Sequence, residues 1–205
     1  MFVHTYRYMK SQKRFLSLLL CLLVASLVGG CRSSKPKTKG VGDPLRAFII
    51  QDCMSGQKYC QVCAYSGKPT IMAIGDVNDD NFVNDLDAIQ KVMSSSASKG
   101  LTAFALVGSF NGDEFGKLGG DKASVEKLKN VVNARKLSFP VVVLPDEMSE
   151  AQKQNYASYS SAYDIKKSRT ILYAGADNKI QFAEVITNTS STAQFEKLNQ
   201  MLSQK

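Results

Sequence analysis

At 205 residues and 22.4 kDa, the chain has room for one ordinary domain plus an export segment. With 44% hydrophobic and 21% charged residues and a mean hydropathy of -0.15, its composition fits neither a multi-span membrane protein nor a disordered chain. The net charge of +8 sits at the N-terminal end: from Ala47 onward 17 basic residues face 17 acidic ones, so a pI of about 9.2 is no sign of a nucleic-acid-binding domain.

Met1–Arg14 is basic, and Phe15–Val28 is an apolar run of fourteen residues. A bilayer span needs about 20, whereas a signal-peptide core is this short. Residues 1–30 therefore read as an export signal. The run ends in Leu27-Val28-Gly29-Gly30-Cys31, which resembles a bacterial lipobox, in which a small-residue pair precedes a cysteine that is acylated and becomes the new N-terminus. The resemblance implies a lipid on Cys31 and a cell-envelope location. Arg32, where Asp would signal retention in the inner membrane, points to the outer membrane, facing the periplasm. Residues 31–46 are rich in Lys, Ser, Gly and Pro and read as a flexible tether. The only histidine, His4, lies in the removable segment. Ser-His-Asp hydrolysis, Cys-His catalysis, HExxH zinc chemistry and histidine-ligated haem are thereby excluded from the body.

The body, 47–205, alternates strands and helices. Ala47–Gln51 reads as a short strand, and Pro69–Gly75 as one apolar on both faces. Phe82, Val83, Leu86, Ile89 and Met93 follow helical spacing, with Asp79, Asp80 and Asn81 as caps and Gly100 closing the helix. Leu101–Val107 is a third strand, Gly108–Gly120 a glycine-rich loop, and a helix starts near Asp121. Phe139–Leu144 is a strand stopped by Pro145, and Ser149–Ser161 a polar helix with Tyr156, Tyr159 and Tyr163 as a packing stripe. Thr170–Ala174 and Lys179–Ile186 straddle Gly175–Asn178 as a hairpin, and Thr192–Leu202 closes as an amphipathic helix. The expected class is α/β, a mainly parallel central sheet with an antiparallel C-terminal hairpin and flanking helices.

This order resembles the thioredoxin-like superfamily in its peroxiredoxin-type arrangement. The matching stretches are Gly67-Lys68-Pro69-Thr70-Ile71-Met72, Ser138-Phe139-Pro140-Val141-Val142 with Asp146, and Tyr163-Asp164-Ile165 leading to Arg169-Thr170-Ile171-Leu172-Tyr173. Tyr59–Pro69, which contains Cys60-Gln61-Val62-Cys63, is similar to exported bacterial thioredoxin-like proteins. Two departures stand out. In that superfamily the reactive cysteine follows the strand Pro69–Gly75, where this chain has Asp76-Val77-Asn78-Asp79-Asp80. The family's cis-proline is replaced by Arg169. Both argue against ordinary peroxiredoxin chemistry.

Cys60 and Cys63 have redox spacing: two thiols three apart close a small ring, and their neighbours can hold one as thiolate. Cys60, the first of the pair, is the expected attacking thiol, Cys63 the resolving one, and protein thiols or disulfides of the envelope the partners. The alternative is a static disulfide, either Cys60–Cys63 or a link from Cys53 to one of them, in a non-catalytic binding scaffold. No cofactor is expected. Zinc lacks a fourth ligand, and covalent haem would need His where Ala64 stands. One calcium pattern remains: Asp76, Asn78, Asp80 and Asp87 fall at ligand positions of a twelve-residue loop, with Asn81 and Asp87 departing from the usual Gly and Glu. The competing reading is a helix N-terminus rich in acids that complement the helix dipole.

Overall fold

The structure, a computed structural model, describes residues 40–96, 99–108, 122–163 and 169–204. The chain divides into Met1–Lys35 and Pro36–Lys205, and every described residue belongs to the second part. The expected signal segment, Cys31, and the loop residues 109–120 lie outside the described residues.

Seven strands form one sheet: β1 (Ile50–Asp52), β2 (Lys58–Tyr59), β3 (Thr70–Asp76), β4 (Thr102–Gly108), β5 (Val141–Val143), β6 (Arg169–Ala174) and β7 (Ile180–Ile186). Their order is β2-β1-β5-β4-β3-β6-β7. β3, β4 and β5 run parallel, while β1 pairs antiparallel with β2 and β5, and β6 antiparallel with β3 and β7. The helices are α1 (Gln61–Ala64), α2 (Asp80–Ser95), α3 (Lys122–Arg135), α4 (Glu150–Tyr163) and α5 (Thr192–Ser203).

Strand alternation divides the core into two layers. Ile71, Ala73, Ala103, Ala105, Val141 and Ile171 face α2, α3 and α5, meeting Phe82, Leu86, Leu128, Phe195 and Leu198. Met72, Ile74, Phe104, Leu106, Val142 and Leu172 face the other way, meeting Tyr156 and Tyr159 of α4. A central parallel strand covered on both sides must be apolar at every position, and β3 is buried from Thr70 through Gly75. At Gly75 the backbone passes so close to Phe82 that a Cβ would stand 2.2 Å from its ring.

Several expected boundaries move for identifiable reasons. The first strand starts at Ile50 because Phe48 leaves the ladder to pack against the rings of Tyr156 and Tyr159, at centroid distances of 6.0 and 6.1 Å. The strand expected over Phe139–Leu144 is confined to Val141–Val143: Pro140 has no N–H to donate, although its carbonyl accepts from Ala105 N at 3.0 Å. The end of the expected tether is part of the fold. Leu45 is buried, and Gly42 N and Leu45 N donate to Ile180 O and Asn178 O at 2.8 and 3.0 Å. The hairpin turn is as expected, with Asn178 in the left-handed region at φ 62°.

A candidate redox site beside the edge strand

Between β1 and β2, Asp52 organises a tight turn: its Oδ1 accepts Met54 N at 3.0 Å and Ser55 N at 2.7 Å. Gly56 adopts φ +73° there, a conformation that L side chains rarely take. The turn delivers Tyr59 and then Cys60, which caps α1 in place of a hydroxyl or carboxylate: its Sγ accepts the Cys63 N–H at 3.1 Å. Cys60 and Cys63 are joined by a disulfide, with their Cα atoms 5.2 Å apart.

The helix is docked by its inner residues. Gln61 is buried, and Tyr59, Val62 and Tyr65 pack on the α4 side of the sheet. The Tyr65 ring stands 6.5 Å from that of Phe104, and its hydroxyl donates to Ala103 O at 3.4 Å. Burial pushes the Tyr65 phenol above its usual range, partly offset by a hydrogen bond with Gln61. Burial and the nearby Asp52 carboxylate also raise Tyr59, to about 12. Neither phenol ionises near neutrality. With one side of α1 fixed, Cys63 is exposed and Cys60 half-buried. Lys58 and Lys68 are exposed, and neither forms an ion pair among the described residues.

Cys53 is not a partner to this pair. Its thiol is free, 3% exposed, and packed in the opposite layer of the core with Leu128 and Val141. Burial first, and Asp52 second, push it up to about 12. The alternative of a link from Cys53 to Cys60 or Cys63 is therefore corrected: the sheet stands between them.

The calcium pattern is also corrected. The last eight of the twelve residues, from Asp80 onward, are helix, so the four candidate ligands diverge. Asp76 Oδ1 accepts Asn78 N at 2.8 Å, Asn78 Oδ1 accepts from Lys127 Nζ at 3.3 Å, Asp80 lies in the first helical turn, and Asp87 pairs with Arg135. Among the described residues no group of three or more His, Cys, Asp or Glu could hold a metal ion.

No family model matches the chain, and no curated protein is similar to it. Solved structures are. The thioredoxin domain of a thiol-disulfide oxidoreductase from Bacteroides vulgatus superposes with TM-score 0.56 at 14% identity, over 80% of this chain and 99% of that one. The fold is thioredoxin-like. A secreted disulfide oxidoreductase of Mycobacterium tuberculosis matches with TM-score 0.51 at 13% identity, covering 77% of this chain and 96% of that one. A thiol peroxidase from Chromobacterium violaceum gives 0.55 at 15%, covering 82% and 88%.

The position after β3, where thioredoxin-like proteins carry their reactive cysteine, holds an ion-pair cluster here. Asp79 caps α2, accepting Asn81 N at 2.9 Å. Arg169, which replaces the family's cis-proline, is buried, with Nη1 3.3 Å from Asp85 Oδ2 and Nε 3.9 Å from Asp79 Oδ2. Its Nη2 also donates to the carbonyls of Asn188 and Thr189. Burial pushes Asp85 up to about 6, against the downward pull of a Ser191 hydrogen bond and of Arg169. Sequence reasoning placed Arg169 but missed its partner Asp85, 84 residues away.

Proposed function

We propose that this protein exchanges thiols and disulfides in the bacterial cell envelope through Cys60 and Cys63, held to the membrane by a lipid on Cys31. The observation that carries the reading is an exposed disulfide on a docked helix, one of whose sulfurs already accepts a backbone N–H. A hydrogen bond to a thiolate stabilises the reduced pair and makes the disulfide easier to reduce. No cofactor is required, because the electrons come from the partner's thiols. The partner class is protein thiols and disulfides of the envelope.

The deciding measurement is the reduction potential of the purified protein in glutathione buffers. A value well above about -300 mV supports exchange, and one below it sinks the assignment. A second reading is a non-catalytic binding scaffold stapled by Cys60–Cys63. What favours it is the Arg169–Asp85 pair standing where the fold usually does its chemistry, and the same potential separates the two. The anchor has its own test. The mature N-terminal peptide should carry acyl mass on Cys31, and Cys31→Ser should release the protein from the detergent-extracted membrane fraction. A wild-type peptide without lipid overturns the anchor and, with it, the assignment to the outer membrane facing the periplasm.

A further inference from the structure

We infer that a partner's thiolate attacks Cys63, the second cysteine, and expels Cys60, which reverses the order expected from their positions in the sequence. The inference rests on the exchange reading above and assigns its chemistry. Two independent features of the site point the same way.

The first is access. Attack on a disulfide needs the incoming sulfur in line with the S–S bond, so the more open sulfur is the electrophile. As a residue Cys63 is exposed, whereas Cys60 is half-buried where the chain leaves edge strand β2. The second is the leaving group. Cys60 Sγ accepts the Cys63 N–H at 3.1 Å, a donor already in place to receive the charge that develops as the bond breaks. Among the described residues Cys63 Sγ accepts no hydrogen bond, so the opposite cleavage would leave a thiolate without a donor. The exposed ammonium groups of Lys58 and Lys68 flank the loop in sequence and favour an approaching anion.

The steps balance. The partner's thiolate forms a bond to Cys63 Sγ, the electron pair of the S–S bond passes to Cys60 Sγ, and a mixed disulfide stands on Cys63. A second thiolate of the same partner then attacks the partner's own sulfur and expels Cys63, which takes a proton. The partner leaves oxidised by two electrons and Cys60 and Cys63 are left reduced. In reverse, Cys63 attacks a partner disulfide and Cys60 resolves the adduct.

The test is to mix the oxidised full chain with glutathione, quench in acid at increasing times, alkylate, and map the adduct by peptide mass. The earliest adduct should lie on Cys63 in about tenfold excess over Cys60, a ratio equivalent to about 1.4 kcal/mol. Early adduct on Cys60, or equally on both, overturns this inference and leaves exchange itself standing. A wild-type protein that forms no adduct on either sulfur overturns the exchange reading too.

Discussion

Two regions of this molecule invite comparison: the end of β3 with the start of α2, and the loop that carries Cys60 and Cys63. In a thioredoxin-like fold the first is the reactive position. Here it is filled by Asp79, Asp85 and Arg169, packed against the α2 side of the sheet. The second lies against the opposite side and follows the outermost strand, β2, four strand spacings from β3. At about 4.8 Å each, that is about 19 Å across the sheet. The fold is kept while the cysteine pair stands elsewhere, so the scaffold by itself dictates little about where chemistry is to be sought. The regions also differ in kind. The first is a buried ion pair, the second a disulfide with one exposed cysteine.

The sharpest way to break that contrast is to remove the charge cluster. Arg169→Ala leaves the Asp85 carboxylate buried without its partner and should cost about 3–5 kcal/mol, read from urea or thermal unfolding. If the regions are independent, the folded variant should keep the wild-type rate of exchange with glutathione. A loss of exchange at temperatures where the variant is still folded would mean that the ion pair supports the redox site. Gly75→Ala probes the same end of β3 through packing. The added methyl would meet the buried Phe82 ring, and the overpacking should cost about 1–3 kcal/mol. A variant as stable as wild type would show that Phe82 moves aside freely.

At the other region the order of effects inverts. Cys60→Ser should abolish disulfide-reductase turnover, because an adduct on Cys63 can no longer be resolved. Its stability cost should stay at or below about 2 kcal/mol, since so short a ring removes little entropy from the unfolded chain. If Cys60→Ser retained full disulfide-reductase activity, the exchange assignment would be lost. If it lowered the melting temperature and altered no activity, the pair would be a staple.

What the sequence made legible follows from how local each signal is. The unbroken apolar run of β3, the 3.6-residue spacing from Phe82 onward and the Asn178 turn each lie within a few residues, and each element formed close to where expected, although the helix expected to close at Gly100 ends at Ser95. Element order then sufficed for the fold. β2 and α1, of two and four residues, are too short to show any periodicity. The cap on α1 went unread because its acceptor is a sulfur, outside the usual list of capping oxygens. Cys53 lies only seven residues before Cys60, yet the intervening hairpin returns the chain to the other side of the sheet. The Asp85–Arg169 pair spans 84 residues and leaves no local trace. Asp85 lies within the twelve residues of the calcium-like loop but at none of its ligand positions.

The smallest effect is also the most specific to one region. Burial holds Asp85 up to about 6 in the folded protein, above its ordinary value of 3.8. Between those two pH values the folded state binds the proton more tightly than the unfolded chain does. The contribution of Asp85 to stability is therefore fully present below about pH 4 and is lost as pH rises through about 6, by at most about 1.4 kcal/mol for each pH unit in that window. Other carboxylates titrate over the same range, so the observable is the difference between wild type and Asp85→Asn, which removes this one proton. That difference should shift in favour of the variant between pH 4 and 6 and be flat from pH 7 to 8. The groups facing Asp85 are Arg169 on β6, Ser191 before α5 and Asp79 at the start of α2. Exchange at Cys60 and Cys63 should ignore this transition and rise instead with ionisation of the attacking thiol. A pH profile of exchange that bends near 6 in wild type and straightens in Asp85→Asn would show that the two regions communicate across the sheet.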